Sequence, residues 1–106
     1  VGVEVLVENS NITPLEFALH QNYPNPFNPQ TNIKFDLSEK AYTSLAIFNL
    51  VGQKVATLIS KTMDAGSYSV KWEGFNDNGS ALPTGMYIYE LKNSGQHFMK
   101  KMVLVK

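Results

Sequence analysis

In Thr31-Asn32-Ile33-Lys34-Phe35-Asp36-Leu37, apolar side chains occupy every second position from residue 33 and polar side chains stand between them. A period of two is typical of a β-strand with one buried face and one solvent-facing face. The segment Gly66–Glu73 repeats this pattern around Tyr68, Val70 and Trp72. Two such segments predict sheets with one dry side, and Trp72, the largest apolar side chain, is expected at the centre of the core.

The rest of the chain has the pattern of short strands separated by turns. Glycine stands in turn sequences at Val51-Gly52, Ala65-Gly66 and Asn93-Ser94-Gly95, where hairpins need a positive φ. Val55–Met63 is the best helical candidate, but it is rich in β-branched residues and lacks a capping sequence. The other strand candidates are Val3–Glu8, Phe17–Leu19, Thr43–Asn49, Lys54–Ser60, Gly85–Asn93 and Gln96–Lys106. We predict an all-β, immunoglobulin-like β-sandwich of about seven antiparallel strands with no significant helix.

Length and composition limit the classes of function. The 106 residues fit one compact domain. Nine basic and nine acidic residues balance, so no net field steers the chain toward nucleic acid. No apolar run approaches the ~20 residues of a membrane span, and the absence of cysteine excludes disulfides and thiolate chemistry. Because the chain begins at Val1 rather than methionine, we expect it to be a fragment of a larger protein.

Catalytic constellations are missing from the sequence. His20 and His97, the two histidines, have no second metal-binding residue at a ligand spacing. Glu73, Asp77 and Glu90 could form a glycosidase pair only across a deep cleft, which a small sandwich does not offer. No serine stands in a glycine-flanked elbow, and no glycine-rich phosphate loop occurs. We therefore predict no enzymatic activity, no cofactor and no metal.

The strand pattern is interrupted by Asn22-Tyr23-Pro24-Asn25-Pro26-Phe27-Asn28-Pro29. The three prolines remove backbone donors and favour extended neighbours, so the run should form a stiff connector outside any central ladder. Asn25 and Asn28 are expected to bond to the backbone amides that follow them. Tyr23 and Phe27 are expected to anchor the connector across one end of the sandwich. A packed closing loop and a recognition surface both fit this sequence.

A second interruption contains Asn76-Asp77-Asn78. Their oxygens could bind calcium weakly, but the alternating acidic ligands of an EF-hand loop and its final glutamate are absent. Asn78-Gly79 is typical of a tight turn, which we predict here. The sequence leaves open whether this turn also binds calcium.

The C-terminal segment Lys100-Lys101-Met102-Val103-Leu104-Val105-Lys106 places an apolar run between lysines. Such a run is typical of an edge strand whose charges suppress aggregation. The same strand could pair through its backbone with a partner, or through Met102–Val105 with a second copy of the chain. Lys106 is expected on the surface.

The tyrosines of Gly85–Asn93 allow a different interpretation. Tyr87 and Tyr89 fall on one face of this strand, where a carbohydrate-binding module would expose a planar platform. Because the other face, with Met86 and Ile88, is also apolar, we predict a central strand with both faces buried.

Several segments together resemble the type IX secretion system C-terminal sorting domains. The resemblance covers Pro14–Lys106, and Phe48 and Asn49 stand where the family often has Tyr and Asp. Members with this proline-asparagine run are also similar in fold to the immunoglobulin-like domain of a flagellar-hook capping protein. The matching segments are Phe17–Pro29 with Thr31 and Ile33-Lys34-Phe35, Ala46–Val55, Ala65–Trp72, Pro83–Tyr87 and Lys100–Lys106.

The resemblance implies that the domain is a sorting signal for export rather than a catalyst. Such domains direct a passenger through the periplasm to the outer-membrane translocon and a shuttle protein, and a surface sortase usually removes them. By position, Gly85, Tyr87 and Lys100–Lys106 match the segments that the family needs for recognition. The Asn22–Pro29 run is expected to keep the domain folded.

The resemblance also implies a division of the chain. Residues 17–106 would be the sorting domain and residues 1–16 a linker or extra strand from the passenger, with the protein secreted or at the cell surface. Removing Lys100–Lys106 is then expected to leave the passenger in the periplasm while the domain still folds. The alternative is a structural immunoglobulin-like module that stays attached to a secreted enzyme.

Overall fold

The computed structural model describes residues 4–8 and 13–106. Within these residues the fold consists of eight β-strands without a helix, so the predicted all-β class is confirmed. Val3, the start of the first predicted strand, lies outside the described residues. The strands are β1 Glu4–Val7, β2 Ala18–Leu19, β3 Thr31–Leu37, β4 Ala41–Phe48, β5 Lys54–Met63, β6 Gly66–Trp72, β7 Gly85–Asn93 and β8 Gln96–Leu104.

The strands form two antiparallel sheets of four. The first sheet has the order β1-β6-β3-β2 and the second has the order β5-β4-β7-β8. In the first sheet, the two strands with the clearest alternation lie side by side, paired without a break from Thr31↔Trp72 to Leu37↔Gly66. Their apolar side chains therefore face the same way, into the space between the sheets.

Trp72 lies in the core as predicted, with 3% of its surface exposed. Its ring centroid is 5.7 Å from that of Phe27. The indole Nε1 donates to the Phe75 carbonyl oxygen at 3.1 Å. The side chain thus fills the core while its one polar atom keeps a partner.

The strand bounds depart from prediction mainly in the second sheet. β4 begins at Ala41 instead of Thr43, and β5 runs to Met63 instead of Ser60, because the Ala41↔Met63 pair continues their ladder. Register shifts between Leu45 and Ala46 and between Ile47 and Phe48 interrupt this ladder, as β-bulges do. An extra residue in one strand breaks the strict period of two that the sequence prediction uses.

β7 is central in the second sheet, but only its inner face is buried. Tyr89 and Leu91 are fully buried, whereas Met86 on the other face is 41% exposed. The prediction that both faces are buried is therefore wrong, since no described element covers the outer face of this sheet.

β1 extends the first sheet at its edge. It pairs with β6 from Glu4↔Lys71 to Val7↔Tyr68. Val5 packs against the core, while Val7 is 57% exposed. The segment upstream of the sorting-domain resemblance thus adds a strand held mainly by backbone pairing.

Candidate recognition surface at the last strand

β8 lies at the edge of the second sheet, as predicted for the C-terminal segment. Met102 and Leu104 point into the core and are 0% and 1% exposed. Lys101 and Val103 alternate with them and point to the outer face of the sheet. Lys106 is exposed, as expected.

The buried side chains of β8 overturn one expectation. Leu104 pairs with Gly85 on one side and forms a parallel bridge to Phe27 on the other. Removing Lys100–Lys106 would take Met102 and Leu104 out of the core, and each loss costs several kcal/mol. Contrary to the expectation from the sequence, we therefore predict that the domain does not fold without this segment.

From Lys101 onward, the outer backbone edge of the last strand is bonded to the segment that precedes β3. Gln21 Nε2 donates to the Lys101 carbonyl oxygen at 2.7 Å. Asn25 Oδ1 accepts from the Val103 amide at 3.0 Å. Phe27 donates its amide to the Val103 carbonyl oxygen at 2.9 Å and accepts from the Val105 amide at 3.0 Å.

These bonds change the interpretation of the last strand. A strand pairs with a partner through unpaired edge amides and carbonyls. The Val103 amide and carbonyl are both engaged by residues 25 and 27, and the Val105 amide by residue 27. The prediction that Met102–Val105 offers an open edge to a partner or a second copy is wrong for these groups.

The proline-asparagine run therefore bridges both sheets rather than crossing one end as a separate connector. Tyr23 forms an isolated antiparallel bridge with Asn32, and Phe27 bridges Leu104. Phe27 is buried, but Tyr23 is 80% exposed, so the expected anchoring role is wrong for Tyr23. Asn25 bonds to Val103 rather than to a following amide, a second correction. Pro24, Pro26, Asn28 and Pro29 are exposed.

Buried polar contacts hold the start of this run. Asn22, 2% exposed, donates its amide nitrogen Nδ2 to Thr31 Oγ1 at 3.0 Å and to the Pro24 carbonyl oxygen at 3.1 Å. The Tyr89 hydroxyl donates to the His20 carbonyl oxygen and accepts from the backbone amide of Asn22, both at 2.8 Å. A core strand of the second sheet thereby fixes the segment that covers β8.

Stability is expected to fall between about pH 10 and pH 12. Burial raises the pKa of Tyr89 to about 12, against a smaller lowering by the Asn22 amide. Burial also raises the pKa of Tyr68 and Tyr87 above 10.0, and the Asp64 carboxylate adds to the shift at Tyr68. The unfolded chain then loses these protons first, so stabilisation present below pH 10 is lost as the pH rises. Urea unfolding at stepped pH measures this decline.

Tyr89→Phe is the control for the alkaline decline. At neutral pH the variant should lose about 1–3 kcal/mol of unfolding free energy, because the Asn22 amide and the His20 carbonyl lose their partner. Above pH 10 its stability should fall less steeply than that of the wild type. Equal slopes in the two proteins would contradict the assignment to Tyr89.

Gly85 and Tyr87, which the resemblance assigns to recognition, lie beside β8 but are not exposed on the surface. Gly85 pairs with Leu104 and Tyr87 with Met102. Tyr87 is 5% exposed, and its hydroxyl donates to the Pro83 carbonyl oxygen at 2.7 Å. Because Tyr87 and Tyr89 are both buried, they form no carbohydrate platform.

The Asn76–Gly79 segment forms the predicted turn. Asn76 Oδ1 accepts from the amides of Asn78 and Ser80, at 3.0 and 2.9 Å. Gly79 has a φ of +83°, and its amide donates to the Asn76 carbonyl oxygen. Asp77 Oδ1 accepts from the Thr57 amide at 2.9 Å, which ties the turn to β5. In residues 4–8 and 13–106, no three His, Asp or Glu side chains lie close enough to hold a metal ion.

One serine, one carboxylate and one histidine meet on the outer face of the first sheet. His20 Nε2 lies 3.0 Å from Asp36 Oδ2, and Ser67 Oγ donates to Asp36 Oδ1 at 2.7 Å. The carboxylate stands between the hydroxyl and the imidazole, whereas a catalytic triad needs the imidazole in the middle. His97 lies 3.8 Å from Glu90, and Glu73 is exposed.

Sequence reasoning missed the apolar outer face of the second sheet. Phe48 and Ile88 pair across β4 and β7, and both are half-buried there. Leu50 and Met99, 61% and 59% exposed, line a shallow depression of about 220 Å³ beside them. The signal in the sequence is the apolar side chains at alternate positions of β7, which also fit a strand buried on both faces.

The chain matches the family model of the secretion system C-terminal sorting domain over residues 21–106. It belongs to that family. The resemblance to type IX sorting domains is thus confirmed, while Glu4–Val7, the strand β1, precedes the matched region. A search of curated proteins finds no match.

Two solved proteins have similar folds. PorZ, an essential surface component of the type-IX secretion system of Porphyromonas gingivalis, matches with 19% identity and a TM-score of 0.58, over 84% of this chain and 12% of PorZ. Truncated FlgD from Helicobacter pylori matches with 18% identity and a TM-score of 0.53, over 86% of this chain and 66% of FlgD. The chain thus spans less than two thirds of either protein, and the likeness concerns the fold.

Proposed function

We propose that this chain is a non-catalytic signal that directs a passenger through the type IX translocon to the cell surface or medium. Family membership over residues 21–106 is the observation that carries the proposal. Residues 17–106 act as the signal, and residues 1–16 join it to the passenger. A shuttle protein and a sortase are its partners in the outer membrane.

The organisation of the domain supports a role in recognition rather than catalysis. The Ser67-Asp36-His20 contacts lack the order that activates a nucleophile. No helix in residues 4–8 and 13–106 could span a membrane. The domain instead presents a folded surface next to its last strand, with Lys101 exposed.

A reporter fusion tests this function. A fluorescent protein with an inner-membrane export signal is placed before residues 1–106 and expressed in a bacterium that has a type IX system. We expect the reporter at the surface or in the medium, and in the periplasm when the translocon is inactivated. The control is the same reporter without residues 17–106. Equal surface export of that control would refute the proposal.

A structural module is the second candidate, because β1 pairs with β6 and makes the upstream segment part of the sandwich. Intact mass spectrometry of the secreted protein separates the two. A mature chain that ends before Phe17 indicates a removable signal, whereas a chain that retains Lys106 favours the module or an uncleaved signal.

A further inference from the structure

The way in which a partner can reach the last strand is restricted. The Lys101 carbonyl, the amide and carbonyl of Val103 and the Val105 amide are bonded to the segment that precedes β3. Met102 and Leu104 are buried. On the C-terminal half of β8, a partner of the folded domain therefore meets chiefly the outward side chains of Lys101 and Val103.

Those side chains continue into a row that crosses the whole second sheet. Ile88 pairs with Lys101 on one side and with Phe48 on the other. Phe48 in turn pairs with Lys54. The Lys54–Lys101 row (Lys54, Phe48, Ile88 and Lys101) thus has two apolar side chains at its centre and a lysine on each edge strand. Three strand spacings put its two lysine positions about 14 Å apart.

Apolar side chains on both sides widen the row into a surface. Met86, 41% exposed, pairs with Val103 beside it. On the other side, Leu50 and Met99 line the shallow depression with Phe48 and Ile88, and Glu90 also lines it. Exposed apolar side chains that cluster on one face mark an interaction site more often than scattered ones do.

Charge is distributed unevenly although the chain is neutral. The strands of the second sheet carry five lysines, at positions 54, 61, 92, 100 and 101, and one carboxylate, Glu90. Glu90 already faces Lys92 at 3.8 Å. Among the described residues, no carboxylate lies within 4.0 Å of the Lys54 or Lys101 ammonium group. The strands of the first sheet carry two lysines and two carboxylates.

We propose that the Lys54–Lys101 row is a docking surface for a protein segment that places an apolar side chain between two carboxylates. This inference rests on the proposed function, since the segment would belong to the secretion machinery. The depression favours an inserted side chain, as at the centres of protein interfaces. A second copy is disfavoured, because docking the same face on itself brings lysines against lysines.

The surface is tested with the reporter fusion and substitutions at Lys54, which lies outside the C-terminal segment. Lys54→Glu should lower surface export by roughly tenfold or more, and Lys54→Arg should stay within about twofold of the wild type. Lys71→Glu, the same change on β6 of the first sheet, is the matched control and should also stay within about twofold. Met99→Ser, at a 59% exposed position, should reduce export independently of charge. Thermal unfolding of each purified domain confirms that it folds.

The outcomes separate this surface from the proposed function. Wild-type export by both Lys54→Glu and Met99→Ser would overturn the surface but leave the sorting signal. Failure of the wild-type fusion to reach the surface would overturn the sorting signal itself. Binding of the wild-type domain to vesicles of phosphatidylglycerol, or its dimerisation, would overturn a protein partner if Lys54→Glu abolished it.

Discussion

Trp72→Ala is expected to lower the unfolding free energy by about 3–5 kcal/mol. The indole is 3% exposed and packs against Phe27, so its removal leaves a cavity between the two sheets. It also leaves the Phe75 carbonyl oxygen without its donor. A domain of this size has about 5–15 kcal/mol in total, so the variant should unfold at much lower urea concentration. Circular dichroism during urea titration measures the change.

Trp72→Phe is the matched variant for this prediction. It keeps most of the buried apolar surface but cannot donate to Phe75, so its loss should lie well below that of Trp72→Ala. Equal losses in both variants would show that the hydrogen bond, rather than the filled volume, dominates. A loss below about 1 kcal/mol in Trp72→Ala would contradict the central position of the indole.

Deletion of Lys100–Lys106 is expected to abolish cooperative folding. It removes Met102 and Leu104, each worth about 2–5 kcal/mol when truncated in a core. It also removes the backbone partners of Asn25 and Phe27. The summed loss is comparable with the total stability of such a domain. Circular dichroism and thermal unfolding should show no sharp transition.

Lys106→Ala is the control, because the side chain is exposed and the bond to Thr84 uses the backbone amide. Its unfolding free energy should stay within about ±0.5 kcal/mol of the wild type. A cooperative transition in the deletion variant would contradict the burial of β8. Loss of export in this deletion therefore reports unfolding, so substitutions on the outer face test recognition better.

The sequence predicted those strands and turns that are determined by residues close together in the chain. In β3 the alternation of apolar and polar residues agrees with the buried and exposed faces of the first sheet, and β6 departs from it at Ser69, which is 6% exposed. The turn at Asn78-Gly79 was also predictable, because its Asx contacts join neighbours. Each of these features is determined by residues a few positions apart.

Contacts between distant segments could not be predicted in this way. Nothing near Asn25 indicates that its side chain receives the Val103 amide, and the exposure of Tyr23 depends on how the run crosses both sheets. The outer face of the second sheet was missed because Met86 and Ile88 on β7 are apolar, as are residues of a doubly covered strand. Whether another layer covers the face of a sheet depends on the whole fold. The alternation of residues in a single strand does not show it.

The contacts between the proline-asparagine run and β8 also bear on how fast the domain folds. Asn25 and Val103 are 78 positions apart in the sequence, and His20 and Tyr89 are 69 apart. Closing loops of this length costs entropy before the contacts stabilise the fold, and sandwiches dominated by such contacts fold in roughly milliseconds to seconds. A slowly closing chain stays extended for longer after synthesis. If the domain is exported as proposed, it crosses the inner membrane before it folds, and slow folding would keep the chain unfolded during that step.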